Sequence, residues 1–239
     1  DYLNKLFLGH LHADHMGDLP ALWVGGTINN RTVPLEIWGP TGSEEQYGTK
    51  HSIDGLKQFY NWDIATRRGA FDAKGQELVV HEFDYKGENK IIYEENGVTI
   101  RSFPAVHAFD GPVSFRLDWN DLSFVFSSDT FPNKWFNKYA KNADIVIHEC
   151  FVTIDDLVNR MNFPVERALL VGAQVHTPPE AFGKVMSIVK PRMAVAYHFI
   201  NDFDTAPNIQ EGIRQTYDGP LTLAKDMLVW NVTKEEINV

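Results

Sequence analysis

Short apolar runs and helix-like segments alternate along the chain. The apolar runs have the length and the β-branched or aromatic content of buried strands. They predict strands at 6–8, 35–38, 79–83, 90–93, 98–103, 113–117, 123–126, 144–147, 194–197 and 227–232. Helices are predicted from Leu19 onward and at 52–62, 133–142, 179–189 and 208–217. Asp18 before Leu19-Pro20 is typical of a helix start, and Asn96-Gly97 is typical of a hairpin turn.

This alternation of strands and helices indicates an α/β fold made of packed layers. In such layers the functional residues lie at the ends of the strands. No internal repeat, low-complexity segment or Ser/Gly linker divides the chain. We therefore expect a single domain over residues 1–239.

Composition narrows the classes of protein to which the chain can belong. Of its 239 residues, 44% are hydrophobic and 23% charged, which excludes a disordered chain. No apolar run approaches the ~20 residues of a membrane span and no segment resembles a signal peptide, so we expect a cytoplasmic protein without membrane contact. The formal net charge of −10 argues against a large surface that binds nucleic-acid phosphates. The single cysteine, Cys150, is interpreted as a small buried hydrophobic residue.

Six of the nine histidines lie at or just after the end of an apolar, strand-like run. The densest group is in residues 10–15, where His10, His12, Asp14 and His15 offer four ligand-type side chains. His10 and His12 are two residues apart, so they point the same way in an extended segment. Burying four such groups together is costly without a metal or a dense hydrogen-bond network. The pattern suits two cations, and imidazole with carboxylate is the ligand set of catalytic zinc.

The motif at 10–15, followed by Gly17-Asp18, resembles the signature of the metallo-β-lactamase superfamily, and the resemblance covers essentially the whole chain. It implies that the first two histidines of the motif hold one metal and that its aspartate and last histidine hold a second. It further implies that His107 completes the first site, that His198 completes the second, and that Asp129 bridges both metals. Taken singly, these three residues would be interpreted as structural groups, turns or helix caps.

Two further segments resemble the ribonuclease Z and arylsulfatase-like branch of this superfamily. Residues 147–151 are similar to its His-Glu-Ala segment, and His176-Thr177 is similar to its His-Ser/Thr motif. In that branch a glutamate–histidine pair acts as a proton relay, which makes His176 the candidate general acid and Glu149 the residue that orients it. The alternative is that His148 and Glu149 form a buried structural pair and that His176 caps the helix that begins at Pro179.

Within the superfamily, the chain most closely resembles subclass-B3-like metallo-β-lactamases of metagenomic origin that have a ribonuclease Z-like architecture. The matching stretches are 110–115, Trp135 with 139–141, 194–202 and 226–233. Most dedicated β-lactamases lack the bridging aspartate, so Asp129 indicates an ester-hydrolase site that also opens β-lactams. Aromatic side chains near the proposed ligands are candidates for the wall of a substrate cleft, namely Phe109, Trp135 and Phe199.

The resemblance implies a dinuclear zinc hydrolase. Zinc lowers the pKa of bound water to ~7, so a hydroxide that bridges two Zn²⁺ ions would attack a small phosphodiester, sulfate ester or β-lactam. Asp14 would orient this hydroxide, and Mn²⁺ or Fe²⁺ would also fit the ligands. One alternative is a ribonuclease Z-type endonuclease that processes the 3′ end of tRNA, which the net charge disfavours. Another is a non-catalytic, metal-binding oligomer; homo-oligomers are common in this branch.

The resemblance also implies a four-layer αββα sandwich made of two similar halves. In that fold several strands precede the histidine motif, whereas only nine residues precede His10. We therefore expect that the N-terminal strands of the first half are missing from this chain. The chain would then be an N-terminally incomplete catalytic domain.

Overall fold

The computed structural model describes residues 3–201 and 204–239, so Asp202, which ends one of the matching stretches, lies outside the described residues. The chain divides into two compact units, one up to Tyr85 and one from Lys86 onward. Each unit has its own β-sheet and its own hydrophobic core. The expectation of a single domain over residues 1–239 stays a prediction. None of the helices in the described ranges is long and apolar enough to cross a membrane.

The first unit contains a three-stranded parallel sheet and four helices. The strands are β1 (Lys5–Phe7), β2 (Leu35–Pro40) and β3 (Leu78–Phe83), in the order β1-β2-β3. The helices are α1 (Ala13–Met16), α2 (Leu19–Ile28), α3 (Thr49–Phe59) and α4 (Asn61–Thr66), with a 3₁₀ turn at Glu45–Tyr47. The expectation that further strands precede β1 stays a prediction.

Alternating side chains give the first sheet an apolar face. Ile37 on β2 pairs with Leu6 on β1 and with Val80 on β3. Because successive residues of a strand point to opposite faces, these three paired side chains lie on the same face. Helix α2 begins at Leu19, as predicted, and contributes to the same core. The buried members of this core are Leu8, Leu19, Trp23, Leu35, Ile37, Ile53 and Leu78.

The second unit is built on a seven-stranded sheet with the order β10-β9-β8-β7-β6-β5-β4. The strands are β4 (Lys90–Glu95), β5 (Val98–Pro104), β6 (Val113–Trp119), β7 (Leu122–Phe126), β8 (Ile145–Glu149), β9 (Met193–Tyr197) and β10 (Leu221–Leu223), and β11 (Asn231–Val232) and β12 (Ile237–Asn238) form a separate pair. The helices are α5 (Lys134–Tyr139), α6 (Ile154–Asn159), α7 (Val165–Leu170), α8 (Pro179–Val189) and α9 (Ala206–Arg214), with a π-helical turn at Val171–Val175. Both units combine strands and helices, which confirms the predicted α/β class.

The seven-stranded sheet changes from antiparallel to parallel at β7. Strands β4 to β7 form an antiparallel meander, and its turns at Asn96-Gly97 and Asn120-Asp121 have left-handed backbone at both residues, as tight two-residue hairpins require. Strands β7 to β10 run parallel, with helices between successive strands. The carboxyl ends of these four strands therefore lie at one edge of the sheet, which is where such sheets carry their functional residues.

The core of the second unit lies between this sheet and helices α5, α8 and α9. Phe103 on β5, Phe136 on α5 and Ile213 on α9 are each 0% exposed. Phe182 and Met186 on α8 are buried in the same cluster. This packing holds the helices that follow β7, β8 and β9, and with them the strand ends that carry the candidate site.

Some elements differ from the sequence predictions. The strand predicted at 227–232 was too long, because only Asn231–Val232 is a strand, paired with β12. The helix predicted at 52–62 is divided at Tyr60 into α3 and α4. Strand β10 was not predicted, since it has three residues and forms only because it pairs in parallel with β9. Helices α6 and α7 were also not predicted. Pairing between distant segments decides such short elements, and no local pattern encodes it.

Candidate metal centre

In the first unit, the four ligand-type side chains of the motif at 10–15 lie together in the loop after β1 and in α1. His10 Nε2 lies 3.1 Å from His12 Nδ1, and His15 Nε2 lies 3.3 Å from Asp14 Oδ2. The ring centroids of His10 and His15 are 4.2 Å apart. The chain turns here because the backbone N–H of His15 donates to the carbonyl of His12, so the adjacent side chains of Asp14 and His15 converge. His10 is 4% exposed, whereas the Asp14 side chain is 67% exposed.

The second unit brings His107, Asp129 and His198 together from three separate segments. Asp129 Oδ2 lies 3.2 Å from His198 Nε2 and 3.9 Å from His107 Nε2. The Asp129 side chain is 1% exposed. Asp129, His198 and His176 offer ligand atoms that all lie within 4.8 Å of one another. Such a group can hold a metal ion.

Two residues at this strand edge have left-handed backbone conformations. Ser128, after β7, has φ 57°, and His198, directly after β9, has φ 67°. For residues other than glycine this region costs on the order of 1 kcal/mol, and such strain collects at functional sites. The turns bring the side chains of Asp129 and His198 to face each other across neighbouring loops.

A hydrogen bond decides which ring nitrogen of His107 is available to a metal. Nδ1 lies 3.2 Å from the carbonyl oxygen of Val175. A carbonyl oxygen only accepts, so Nδ1 carries the proton and the neutral ring has its lone pair on Nε2. This lone pair and the buried carboxylate of Asp129 repel each other unless a cation lies between them. The donor set therefore fits a divalent cation, and the bond to Val175 orients the ring for it.

Glu149, at the end of β8, and His176 form a hydrogen-bonded pair. His176 Nδ1 lies 3.0 Å and 3.2 Å from the two carboxylate oxygens of Glu149, so it donates to them, and in the neutral ring the lone pair is on Nε2. Glu149 is 0% exposed, and its carboxylate also accepts from the backbone N–H groups of Thr130 and Thr177. The ring of His176 stacks on Phe151 with centroids 4.5 Å apart. These contacts hold both side chains in one orientation.

Thr130 ties the strand-end segments together and was not singled out from the sequence. It is 0% exposed, and its Oγ1 accepts a hydrogen bond of 2.9 Å from the backbone N–H of Val106. Its own N–H donates to Glu149, and its carbonyl accepts from the hydroxyl of Thr177 at 2.6 Å. The sequence feature that could have pointed to Thr130 is its position in the polar run 127–130 at the end of a strand.

These contacts bear on the alternative, structural roles of His148, Glu149 and His176. His148 Nδ1 donates to the backbone carbonyl of Glu149 at 2.6 Å, while the carboxylate of Glu149 is bound by His176. The N-cap position of α8 is Pro178, and no side chain caps it. Burial lowers the pKa of His148 to about 4. Cys150 is fully buried and burial raises the pKa of its thiol, which confirms it as a small buried residue.

The candidate cleft residues lie in different surroundings. Phe109 follows His107 by two residues and is 57% exposed. Phe199 packs against the second core and lines an open cleft of about 660 Å³ together with His198. Trp135 lies in the first turn of α5 and packs against the same core. Their contact with a substrate stays a prediction.

The known sequences similar to this chain include ribonucleases Z. No protein-family model matches the chain. The ribonuclease Z of Mycobacterium marinum is 27% identical over 171 residues, which is 69% of this chain and 56% of that protein. The ribonuclease Z of Mycobacterium avium is 29% identical over 151 residues, which is 61% of this chain and 51% of that protein. The chain thus spans about half the length of the curated relatives it matches.

Solved structures share the fold. The metallo-beta-lactamase fold protein YhfI from Bacillus subtilis has a TM-score of 0.64 at 16% identity, covering 93% of this chain and 74% of its own. The short form of human tRNase Z has a TM-score of 0.63 at 16% identity, covering 94% of this chain and 77% of its own. The fold agrees with the sequence relatives and with the residues brought together at the strand ends: this chain has the metallo-β-lactamase fold, and its sequence is similar to ribonucleases Z.

Proposed function

We propose that this protein is a metal-dependent hydrolase with a dinuclear centre. The proposed ligands are His10, His12 and His107 for one metal, Asp14, His15 and His198 for the other, and Asp129 for both. Zinc is the proposed metal because imidazole and carboxylate are its usual ligands in catalytic sites, and Mn²⁺ and Fe²⁺ are the alternatives.

The observation that carries the proposal is the surrounding of Asp129. Its buried carboxylate has three imidazole nitrogens near one oxygen, at 3.2 Å (His198), 3.9 Å (His107) and 4.0 Å (His176). Removing a carboxylate from water is costly unless a cation or several hydrogen bonds compensate it. The orientation of His107, with its lone pair on Nε2, supports a metal as that cation.

The proposed mechanism assigns proton transfer to the chain's own residues. Bound divalent cations supply a Lewis acid and lower the pKa of water to about 7. His176 is held at Nδ1 by Glu149, and its Nε2 is the proposed proton donor to the leaving oxygen. Asp14 is the proposed residue that orients the attacking water, since its carboxylate is exposed.

The proposed substrates are small phosphodiesters, sulfate esters or β-lactams. The test combines elemental analysis of the purified protein with hydrolysis of bis(4-nitrophenyl) phosphate, 4-nitrophenyl sulfate, nitrocefin and a precursor tRNA. We expect two zinc ions per chain and turnover of at least one small substrate. Two bound zinc ions without turnover of any substrate would support a non-catalytic metal-binding protein instead.

A ribonuclease Z-type endonuclease is the second candidate. The similarity to two mycobacterial ribonucleases Z favours it, while the net charge of −10 opposes it. Binding of a polyanion depends on Lys and Arg that neutralise phosphates. Cleavage of the precursor tRNA at the 3′ side of its acceptor stem, more efficiently than any small ester, would establish this candidate over the first.

Replacing Asp129 tests the bridging role. We expect Asp129→Ala to lose one of two metals per chain and to lower kcat/KM by more than about 100-fold, because a ligand shared by both sites is removed. His81→Ala is the control, since His81 lies on β3 and binds Glu36 at 2.9 Å, away from the motif at 10–15. Retention of two metals by Asp129→Ala would contradict the bridging role.

A further inference from the structure

The cleft beside His198 includes polar residues that the proposed mechanism does not use. It has a volume of about 660 Å³ and is lined by residues 197–199, Asn201 and residues 224–226. His198 Nε2 lies 3.2 Å from the Asp129 carboxylate, so the cleft shares His198 with the second-unit cluster. Its volume is in the range of small-molecule sites.

Sheet topology places Lys225 in a series with the other site residues. Strands β7, β8, β9 and β10 are parallel neighbours, and their carboxyl ends lie at one edge of the sheet. The polar groups at these ends are Asp129 after β7, Glu149 on β8, His198 after β9 and Lys225 after β10. Lys225 is therefore the member of this series that carries a permanent positive charge.

The backbone around Lys225 is held in place. The N–H of Ala224 donates to the carbonyl of Ala196 at 2.8 Å, which extends the pairing of β10 with β9 to the rim of the cleft. The N–H of Leu228 donates to the carbonyl of Lys225 at 3.2 Å and closes a turn. These bonds keep the lysine beside the cleft.

The ammonium group of Lys225 has no hydrogen-bond or ion-pair partner among the residues that the structure describes. Several basic side chains of the second unit form ion pairs, for example Arg192 with Asp144 at 2.8 Å and Lys234 with Asp121 at 2.6 Å. Lys225 forms no ion pair with any residue in the described ranges, including its neighbour Asp226. It is the only lysine or arginine among the residues that line the cleft.

We propose that this cleft is an anion subsite for the substrate, in which Lys225 binds an oxyanion group and the Asn201 amide adds a neutral hydrogen-bond donor. The subsite selects substrates that carry a phosphoryl, sulfuryl or carboxylate oxygen next to the bond that is cleaved. Asp226 at the rim opposes this charge, so the subsite favours a single oxyanion over a polyanion. This inference rests on the proposed hydrolase function, because the cleft shares His198 with that site.

A kinetic comparison of three variants tests the subsite. We expect Lys225→Met to raise KM for bis(4-nitrophenyl) phosphate about tenfold with little change in kcat, because a charge that takes no part in the reaction stabilises bound substrate and transition state alike. KM for the uncharged 4-nitrophenyl acetate should not change. Lys225→Arg should retain the wild-type KM, and Asp226→Asn should retain or lower it. Equal losses for both substrates, or a rise in KM with Asp226→Asn, would overturn the proposal.

Binding of inorganic phosphate gives a readout that needs no turnover. Titration followed by the NMR signal of the Asn201 side-chain amide should show an affinity about tenfold weaker in Lys225→Met than in the wild type, and this difference should shrink as salt is raised. Equal affinities would overturn the subsite even when hydrolysis is intact. A clear difference in affinity without any hydrolysis would instead refute the proposed function and leave the anion site in place.

Discussion

At the scale of single residues, hydrogen bonds to acceptor oxygens decide which histidine nitrogens can react. His107 donates through Nδ1 to the Val175 carbonyl, and His176 donates through Nδ1 to Glu149. Both rings therefore keep Nε2 for a metal or a proton. His148 also donates through Nδ1, to a backbone carbonyl, but its ring packs edge-on against Phe136. Histidine side chains of the second unit thus have two kinds of role, one chemical and one structural.

The role of His176 as proton donor leads to a prediction about leaving groups. We expect His176→Ala to lower kcat about 100-fold for aryl esters with poor leaving groups and much less for 4-nitrophenyl esters, which depart without protonation. The measurement is the rate of hydrolysis for a series of aryl esters whose leaving groups are differently substituted phenols. Metal content should stay the same if His176 does not hold a metal.

Glu149→Gln is the matched variant for this pair. The amide keeps the shape of the buried side chain but replaces one acceptor oxygen with a donor, so it no longer holds His176 Nδ1–H through both oxygens. We expect the same dependence on the leaving group, with a smaller loss. A loss that is uniform across all leaving groups in both variants would contradict the relay.

At the scale of elements, the contact between α8 and α9 supports the site. Helix α8 begins three residues after His176, and α9 contributes to the same core as β9, the strand that His198 follows. A Cβ atom placed on Gly183 in α8 would lie 2.6 Å from the carbonyl oxygen of Ile213 in α9. The two helices approach this closely because Gly183 has no side chain.

This contact makes Gly183→Ala informative. We expect it to destabilise the protein by about 1–3 kcal/mol, because the added methyl group meets backbone that cannot move freely. Urea denaturation measures the change. Gly55→Ala is the control: Gly55 lies in the interior of α3 with no atom within 4 Å of an added Cβ, so this change should stabilise by up to about 1 kcal/mol. Similar effects at the two positions would show that helix propensity, and not the close approach, dominates.

At the scale of the whole molecule, the negative charge is spread over both units. The part up to Tyr85 has 7 basic and 12 acidic residues, and the part from Lys86 onward has 15 and 20, so each carries a net charge of −5. Neither unit is basic by composition. This distribution supports the proposal of small substrates, because steering of a polyanion requires an extended positive surface.

Stability of the whole chain should depend on pH through His148. Burial lowers its pKa in the folded state to about 4, from the ordinary value of 6.5. The unfolded chain therefore binds a proton that the folded chain does not, between these two values. The stabilising contribution is complete above about pH 6.5 and is lost as the pH falls towards 4, by at most about 1.4 kcal/mol per pH unit.

Two measurements check this pH dependence. Urea denaturation between pH 4 and pH 8 should show a slope that is reduced in His148→Gln. NMR of the wild-type protein should show that the His148 ring stays neutral from pH 8 to about pH 5, which does not require the variant to fold. Protonation of that ring near pH 6.5 in the folded protein would contradict the effect of burial.

The sequence by itself determined the local features of this protein. Asp18 before Leu19-Pro20 marked the start of α2, and the asparagine-containing turns marked the hairpins, because the fixed φ of proline and the left-handed backbone of tight turns act over a few residues. The motif at 10–15 required no tertiary information either, since its four ligand-type side chains occupy one loop and one helical turn.

Only the tertiary structure decided which distant segments meet. His107, Asp129 and His198 come together because of the strand order and the left-handed turns at Ser128 and His198. Thr130 and Lys225 gained their positions in the same way, from hydrogen bonds to segments far away in the chain and from the placement of β10 beside β9. Pairing between strands depends on contacts across the whole sheet, which no window of neighbouring residues contains.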